Sequence, residues 1–205
     1  MKNECSNYEL DDFEVLAKLG EGQFGTVFLV SDSMHKKQYA LKCISKEQTI
    51  KNKLEKHVVN EKKVLEEISS SPFCVHYIRS FKDSHYIYLL TEYINGLELF
   101  DVIRIIGLLD VEQTRFYSAI MFYFLEVMHS KNIIYRDLKP ENVMVSENGY
   151  LKFIDMGTCK QLNSKSGSKK TFTIIGTPNY MAPEIISGKG YNYTVDLWSL
   201  GIVIY

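Results

Sequence analysis

Two short segments in the second half of the chain concentrate the side chains that could do chemistry. The run 135–142 contributes Asp137, Lys139 and Asn142, and the run 155–157 begins with Asp155. Phosphoryl transfer needs such a set: one carboxylate to accept a hydroxyl proton, a second carboxylate and an amide to hold Mg²⁺, and one cation to offset phosphate charge. The alternative is an ordinary charged turn. So many suitable residue types in so short a span favour phosphoryl transfer.

A glycine-rich run near the N-terminus could cover a phosphate. Residues 20–27 have the form Gly-x-Gly-x-x-Gly-x-Val. Glycines let the backbone turn tightly and bring amide N–H groups close to phosphate oxygens. A plain hairpin would have the same glycines, and a strand–loop–helix version would indicate a dinucleotide fold. The β-rich residues Val27–Val30 favour strand–loop–strand, and the missing Gly-Lys-Ser/Thr excludes a Walker-type loop.

A lysine and a glutamate in the first half are predicted to form an ion pair. Ala40 and Lys42 share one face of a predicted strand. Glu61 falls on the apolar stripe of the helix predicted over Lys53–Ile68. This stripe consists of Leu54, Val58, Leu65 and Ile68. Because a buried carboxylate is costly without a partner, we expect Glu61 to pair with Lys42. The alternatives are a lysine that points to solvent and a glutamate at the stripe edge that reaches water.

The predicted elements indicate an α+β fold. Strands are expected over 13–19, Thr26–Val30, Gln38–Ile44, Tyr86–Thr91, Val143–Val145 and Leu151–Ile154. Long helical segments are expected to dominate from Val111 on, and Tyr93–Leu97 is the predicted hinge between the two halves. The run Asn163–Lys170 is expected to be a flexible basic loop by composition.

Composition narrows the class of protein. The chain has 205 residues and a net charge of −1, so there is no field that would attract nucleic acid or an anionic membrane. Its four cysteines lie far apart, which favours scattered thiols in a reducing compartment over a disulfide framework or a zinc site. No apolar run reaches membrane-spanning length and no signal peptide precedes the first strand. These features predict a soluble, cytoplasmic protein.

Together, the motifs at 20–27, 40–42, 135–142 and 155–157 resemble the catalytic domain of eukaryotic protein kinases. The resemblance implies a bilobal fold with a small β-rich N-lobe and a mainly helical C-lobe. It implies an N-terminal extension at 1–12 and a kinase domain at 13–205, with the lobes meeting at about residue 94. A complete domain of this family continues beyond Tyr205, so the resemblance also implies that the C-lobe is truncated.

The resemblance assigns roles to the site residues. Asp137 would orient the substrate hydroxyl and accept its proton, and Lys139 would stabilise the transferred phosphate. Asn142 and Asp155 would hold Mg²⁺, and the Lys42–Glu61 pair would support catalysis. Thr91 would be the gatekeeper. The positions that would bind ATP are Leu19, Gly20, Glu21, Gly22, Gln23, Phe24, Gly25, Thr26, Val27, Ala40, Lys42, Thr91, Glu92 and Ile94.

The run 171–184, here called the activation segment, resembles the phosphorylated segment of the cyclic-nucleotide-dependent and lipid-dependent (AGC) kinases. Thr173 matches the phosphorylated threonine. Three cationic positions, His57, Arg136 and Lys160, match those that would pair with its phosphate. An exposed Ser/Thr loop with unrelated charges is the alternative.

Four further positions match residues that contact the substrate or the catalytic loop. Thr177 would bond the catalytic aspartate and lysine. Glu98 and Glu141 would read basic residues before the target Ser/Thr, although both could be solvated surface charges. Asp196 would brace the backbone of the catalytic loop.

Within the AGC group, the phrases at 96–101, 106–109 and 188–191 look most like cGMP-dependent protein kinases. Tyr135 stands where most kinases have histidine, as in the AGC group, and Met156 replaces the usual phenylalanine, where its flexible thioether can fill the same gap. A cyclic-nucleotide-binding regulatory region would then lie outside this chain. The alternatives are another AGC kinase, such as a cAMP-dependent catalytic subunit, and a non-catalytic truncated fragment that binds nucleotide or serves as a scaffold.

Overall fold

The computed structural model describes residues 8–22, 25–162 and 170–205. The chain forms two compact units. The first contains the described residues up to Glu66 together with Val75–Tyr93, and the second contains Glu67–Cys74 and Ile94–Tyr205. Gln23, Phe24, Cys5, most of the predicted extension and residues 163–169 of the predicted basic loop lie outside the described residues.

The segment 67–74 belongs to the second unit, although the sequence predicted a single boundary near residue 94. Backbone contacts explain this placement. The Phe153 N–H donates to the Phe73 carbonyl at 2.8 Å, and Cys74 forms an isolated parallel bridge with Phe153. Both contacts tie the segment to a strand of the second unit.

The first unit is built on a five-stranded antiparallel sheet with the order β1-β2-β3-β5-β4. Its strands are β1 Phe13–Gly22, β2 Gly25–Asp32, β3 Gln38–Ser45, β4 Tyr77–Lys82 and β5 Tyr86–Glu92. The four predicted strands are confirmed. β4 was not predicted, because its half-buried residues show no clean alternation and its register slips between Tyr77 and Arg79. Val30, Tyr39, Leu41 and Leu90 form the buried core of one cluster of this unit.

Two helices accompany the sheet, α1 Lys46–Lys51 and α2 Glu55–Ile68. The Ser45 hydroxyl caps α1 by accepting from the Gln48 N–H at 3.3 Å, which satisfies one of the unpaired donors of the first turn. The predicted helix start at Lys53 is wrong. Lys53 has a φ of 56°, in the left-handed region that interrupts a right-handed helix, so α2 begins at Glu55.

The second unit combines short strands with two long helices. Its elements are β6 Gly96–Glu98, α3 Leu99–Ile106, α4 Val111–Ser130, β7 Ile133–Ile134, β8 Val143–Ser146, β9 Leu151–Phe153, β10 Lys160–Gln161, α5 Pro183–Ile186 and α6 Thr194–Ile204. A capping box formed by Asp110 and Gln113 starts α4. The predicted strands β8 and β9 and a long helix from Val111 are confirmed. Helix does not dominate the described residues between α4 and α6, where α5 is the one α-helix.

A stack of aromatic rings fixes the core of the second unit. Phe124 of α4 lies parallel to Phe153 of β9, with centroids 3.6 Å apart, and the edge of Tyr135 meets Phe124 at 5.1 Å. All three side chains are fully buried. Their packing anchors the start of the run 135–142 on α4 and β9. Within the described ranges, no helix is long and apolar enough to cross a membrane.

Candidate active site

The predicted partners Lys42 and Glu61 lie together in the first unit. The Lys42 ammonium is 2.5 Å from a Glu61 carboxylate oxygen. β3 is an inner strand of the sheet, where Lys42 pairs in register with Val27 of β2 and Leu89 of β5. Glu61 is 2% exposed, on the same face of α2 as the buried residues of the predicted stripe. The ammonium offsets the cost of burying this carboxylate.

The described residues of the glycine-rich run lie at the end of β1 and the start of β2. Gly22 pairs in register with Gly25, and Thr26 and Val27 continue into β2 beside β3. Gly25 has a φ of 140°, and a Cβ there would run into the carbonyl of Cys43. A residue without a side chain is therefore required at this position. The remaining predicted positions of the run, Leu19, Gly20 and Glu21, lie on β1.

The end of β5 carries two predicted nucleotide positions. Thr91 pairs in register with Ala40, and its hydroxyl donates to the Ala40 carbonyl at 3.5 Å. The Glu92 N–H donates to the His76 carbonyl at 2.9 Å, and the Glu92 carboxylate accepts from the His76 N–H at 2.8 Å. Ile94 is the first residue of the second unit after the crossing and is half-buried.

Asp137 is the centre of a hydrogen-bonded cluster in the second unit. Its Oδ1 accepts from the Thr177 N–H at 2.8 Å and from the Thr177 hydroxyl at 2.7 Å. The Lys139 ammonium donates to the same hydroxyl at 2.8 Å and lies 3.3 Å from Asp137 Oδ2. The structure thus brings together three predicted residues from two separate motifs.

Asn142 completes this cluster and offers an oxygen ligand. Its amide nitrogen donates to the Asp137 carbonyl at 2.9 Å and to Asp137 Oδ2 at 3.0 Å, which leaves the amide oxygen to bind a metal. The Ile154 N–H donates to the Asn142 carbonyl at 3.2 Å, so Asn142 lies next to the residue before Asp155. Carboxylate and amide oxygens suit Mg²⁺, which commonly takes one or two protein ligands and completes its shell with phosphates and water.

This donor set is small. Across the described ranges, no group of three or more His, Cys, Asp and Glu side chains could hold a metal ion. A cation at Asn142 and Asp155 would therefore depend on oxygens from a bound ligand, as Mg²⁺ does in phosphoryl-transfer sites.

Asp196 braces the backbone at the start of the catalytic run. It is 0% exposed, and its two oxygens accept from the N–H of Tyr135 at 2.9 Å and from that of Arg136 at 2.8 Å. These bonds hold Arg136 at a φ of 72°, a conformation that non-glycine residues rarely adopt. His129, at the end of α4, adds a contact of 2.8 Å to Asp196 Oδ2. Sequence reasoning missed His129, because no local pattern links it to α6.

Of the three cations predicted to bind a phosphate on Thr173, Arg136 and Lys160 lie in the second unit. Arg136 is buried, and its guanidinium donates to the carbonyls of Thr158 at 2.6 Å and Cys159 at 3.2 Å. Thr173 and Lys160 are exposed, and in the described part of the chain the Thr173 side chain makes no hydrogen bond with Arg136 or Lys160. His57 belongs to α2 of the first unit.

The structure brings Glu98 and Glu141 together with a third carboxylate, Asp101. Burial raises the pKa of Glu98, and the charges of Asp101 and Glu141 raise it further. Burial also raises the pKa of Tyr180, with a smaller contribution from Glu141. Asp101 was not predicted as a member of this group. A cationic side chain bound here would relieve the repulsion among the carboxylates.

A comparison with known protein families identifies the family to which this chain belongs. The profile described as "Protein kinase domain" matches residues 13–205. This chain belongs to the protein kinase family. The predicted kinase-like α+β fold is thereby confirmed.

Individual kinases are similar to this chain over nearly its whole length. The cGMP-dependent protein kinase of Plasmodium berghei (strain Anka) is 40% identical over 205 residues, which is 100% of this chain and 23% of the relative. The human cGMP-dependent protein kinase 2 is 42% identical over 98% of this chain and 26% of its own length. The human cAMP-dependent protein kinase catalytic subunit PRKX is 43% identical over 97% of this chain and 54% of its own length. The predicted resemblance to cGMP-dependent kinases is confirmed, and this kinase chain spans about a quarter of their length.

Proposed function

We propose that this chain is the catalytic domain of a serine/threonine protein kinase that transfers the γ-phosphate of ATP to Ser or Thr near basic residues. The observation that carries the proposal is the cluster of Asp137, Lys139, Asn142 and Thr177. It combines a carboxylate, a cation and an amide in hydrogen-bonding contact, which are the groups that phosphoryl transfer uses. The similarity to cGMP-dependent kinases supports a cGMP-dependent type.

The proton of the substrate hydroxyl goes to Asp137. Thr177 and Asn142 fix the orientation of this carboxylate from both sides. A positioned base of this kind contributes through general acid–base catalysis and by aligning the hydroxyl for attack. Lys139 offsets the negative charge of the transferred phosphate.

The remaining residues bind ATP and Mg²⁺. Lys42, held by Glu61, would contact phosphate oxygens of the nucleotide, and backbone groups of the glycine-rich run would cover the phosphates. Asn142 and Asp155 would hold Mg²⁺, which would neutralise part of the phosphate charge. Glu92 and Ile94 offer backbone groups to the adenine edge, with Thr91 as gatekeeper and Ala40 beside the ring.

Further residues of this chain select the substrate and regulate activity. Glu98 and Glu141 bind basic residues of the protein substrate, and the raised pKa of Glu98 supports such a role. Phosphorylation of Thr173 would engage Arg136, Lys160 and His57. We further propose an N-terminal extension at 1–12, a kinase domain at 13–205 and a cyclic-nucleotide-binding regulatory region outside this chain.

The test is Mg²⁺-dependent phosphorylation of a basic Ser-containing peptide by the 205-residue chain and by its Asp155→Asn variant. The variant should lose turnover because it loses a metal ligand. Asp11→Asn, at an exposed position of the first unit, is the control and should keep full activity. Equal turnover by the Asp155→Asn variant and the unmodified chain would exclude the proposed metal ligand.

A further inference from the structure

Tyr191 lies where the start of the activation segment meets the core of the second unit. It is 3% exposed, and its backbone exchanges two hydrogen bonds of 2.9 Å with Thr171. Next to it, the ring of Phe172 covers Gly190 so closely that a Cβ there would lie 2.5 Å from a ring carbon. The Tyr191 hydroxyl donates to the carbonyl of Thr173. Residues 190–191 therefore contact residues 171, 172 and 173 in turn.

The same hydroxyl also contacts a cation. Arg136 donates to it at 3.3 Å, while the rest of this guanidinium binds the carbonyls of Thr158 and Cys159. A phenol that accepts a hydrogen bond from a cation becomes a better donor, so the bond to the Thr173 carbonyl is strengthened. The hydroxyl of Tyr191 thus links Arg136 to the main chain at Thr173.

This link leads to the catalytic cluster in two directions. Arg136 directly precedes Asp137, and its own backbone is braced by Asp196. Along the other direction, the chain from Thr173 runs to Thr177, whose N–H and hydroxyl bind Asp137. Between these two points, the backbone of the activation segment packs closely on Arg136 at Gly176, where a Cβ would lie 2.5 Å from the Arg136 carbonyl.

We infer that Tyr191 is a positioning residue for phosphoryl transfer: its hydroxyl holds the Thr173 carbonyl against Arg136 and so keeps Thr177 in contact with Asp137. The inference rests on the proposed function for its catalytic consequence. The structural link itself does not depend on activity. The hydroxyl acts on the backbone of residue 173, so it orders the segment whether or not the Thr173 side chain is modified.

The test compares Tyr191→Phe with Tyr193→Phe in the full 205-residue chain. Tyr193 is the matched control, because its hydroxyl also donates to one partner, Asn132 Oδ1 at 3.1 Å, outside the activation segment. Hydrogen exchange over 173–177 should be about tenfold faster in Tyr191→Phe, the loss expected for one buried hydrogen bond assisted by charge. Exchange in α4 should stay unchanged, and Tyr193→Phe should match the unmodified chain over 173–177.

Two exchange results would overturn the inference. Equal exchange over 173–177 in both variants would mean that the hydroxyl does not hold the segment. Faster exchange in α4 as well would mean that the hydroxyl supports the whole unit rather than this segment.

Steady-state kinetics supply the second measurement. In Tyr191→Phe, kcat for a basic peptide should fall about tenfold while the KM for ATP stays constant, because the orientation of Asp137 is lost and the nucleotide contacts are not. A raised KM for ATP with unchanged kcat would contradict the positioning role. If the unmodified chain phosphorylates no peptide, the proposed function fails, and hydrogen exchange still decides whether Tyr191 fixes the segment.

Discussion

Asp137 owes its orientation to donors on both of its carboxylate oxygens. Thr177 supplies two of them to Oδ1, and Asn142 supplies one to Oδ2. A carboxylate held in this way cannot rotate freely, so its lone pairs keep fixed directions. This is the pre-organisation that a general base needs before the substrate arrives.

Replacement of the carboxylate by an amide tests the role of Asp137. Asp137→Asn should lower kcat by a factor of about 10² to 10⁴, because an amide cannot accept the hydroxyl proton. Binding of ATP should be unchanged, since no nucleotide contact is lost. Peptide phosphorylation and fluorescence titration with a nucleotide analogue measure the two effects. A variant that loses nucleotide binding together with turnover would contradict a role confined to the hydroxyl.

Glu98 links substrate recognition to stability. Its pKa is raised by burial and by neighbouring carboxylates above the ordinary value of 4.5. As the pH rises from the ordinary pKa to the raised pKa of Glu98, the carboxyl ionises more readily in the unfolded chain than in the folded one. The folded state therefore loses stability. Well below pH 4.5 the carboxyl is protonated in both states and the effect disappears.

Glu98→Gln should therefore raise the midpoint of urea unfolding at neutral pH and weaken the binding of a basic peptide. The stability gain should vanish below the ordinary Glu pKa. Glu126→Gln, at an exposed position of α4, should change neither property. Chemical unfolding at several pH values and peptide titration check both effects. A lower midpoint at neutral pH would show that the Glu98 charge stabilises the fold.

Sequence reasoning at the residue scale succeeded where the physics is local. The contact between Lys42 and Glu61 follows from helical periodicity and from the cost of burying a carboxylate. The contact between Asp137 and Thr177 followed from family resemblance alone, since no periodic pattern relates the two motifs. Neither source indicated His129 or Tyr191, because their partners lie far along the chain and no pattern in the sequence relates them.

At the scale of elements, the activation segment depends on close backbone packing. Gly176 has a φ of 117°, and a Cβ there would lie 2.5 Å from the Arg136 carbonyl. The residue that follows it, Thr177, binds Asp137. The absence of a side chain at Gly176 therefore allows the activation segment to approach the catalytic run.

Two glycine substitutions compare a crowded position of positive φ with an open one. Gly188 also has a positive φ, of 65°, but no atom lies within 4 Å of the Cβ that alanine would add. Gly188→Ala should cost about 1 kcal/mol of stability and preserve turnover. Gly176→Ala should abolish most turnover, because the segment must move away from Arg136. Thermal unfolding and peptide phosphorylation measure the pair. Similar turnover by both variants would exclude the steric explanation.

The elements themselves were predictable to different degrees. Strands β2, β3 and β5 and helix α4 have strong periodic patterns and were found. Helix α1 was not predicted, and the predicted start of α2 at Lys53 was too early, because the left-handed backbone at Lys53 leaves no signature in a helix-forming sequence. The described residues between α4 and α6 contain little regular structure, since their backbone is shaped by side-chain contacts such as those of Asp196.

At the scale of the whole molecule, the buried hydroxyl of Tyr135 adds no hydrogen bond within the described part of the folded chain. The Tyr135 hydroxyl is buried and, among the described residues, has no hydrogen-bond partner. Burial raises the pKa of Tyr135 well above its ordinary value, since the ionised form could not be solvated. The Tyr39 hydroxyl is equally buried but contacts the Tyr8 hydroxyl at 3.2 Å, which in turn donates to Asp32.

Removal of each hydroxyl should therefore have opposite consequences. Tyr135→Phe should leave the free energy of unfolding unchanged or raise it by up to about 1 kcal/mol, while Tyr39→Phe should lower it by about 1 kcal/mol. Denaturant titrations of the two variants test this difference. A loss in Tyr135→Phe as large as that in Tyr39→Phe would mean that the Tyr135 hydroxyl has a bonding partner after all.

The path of the chain between its two units limits how this protein can be divided. A gene cut at residue 93 would place the segment 67–74 on one polypeptide and Phe153, which it pairs with, on the other. Neither product would contain one unit complete and alone. Reassembly of such halves would have to restore that pairing between separate molecules, so expression of either half by itself is a poor route to an isolated lobe.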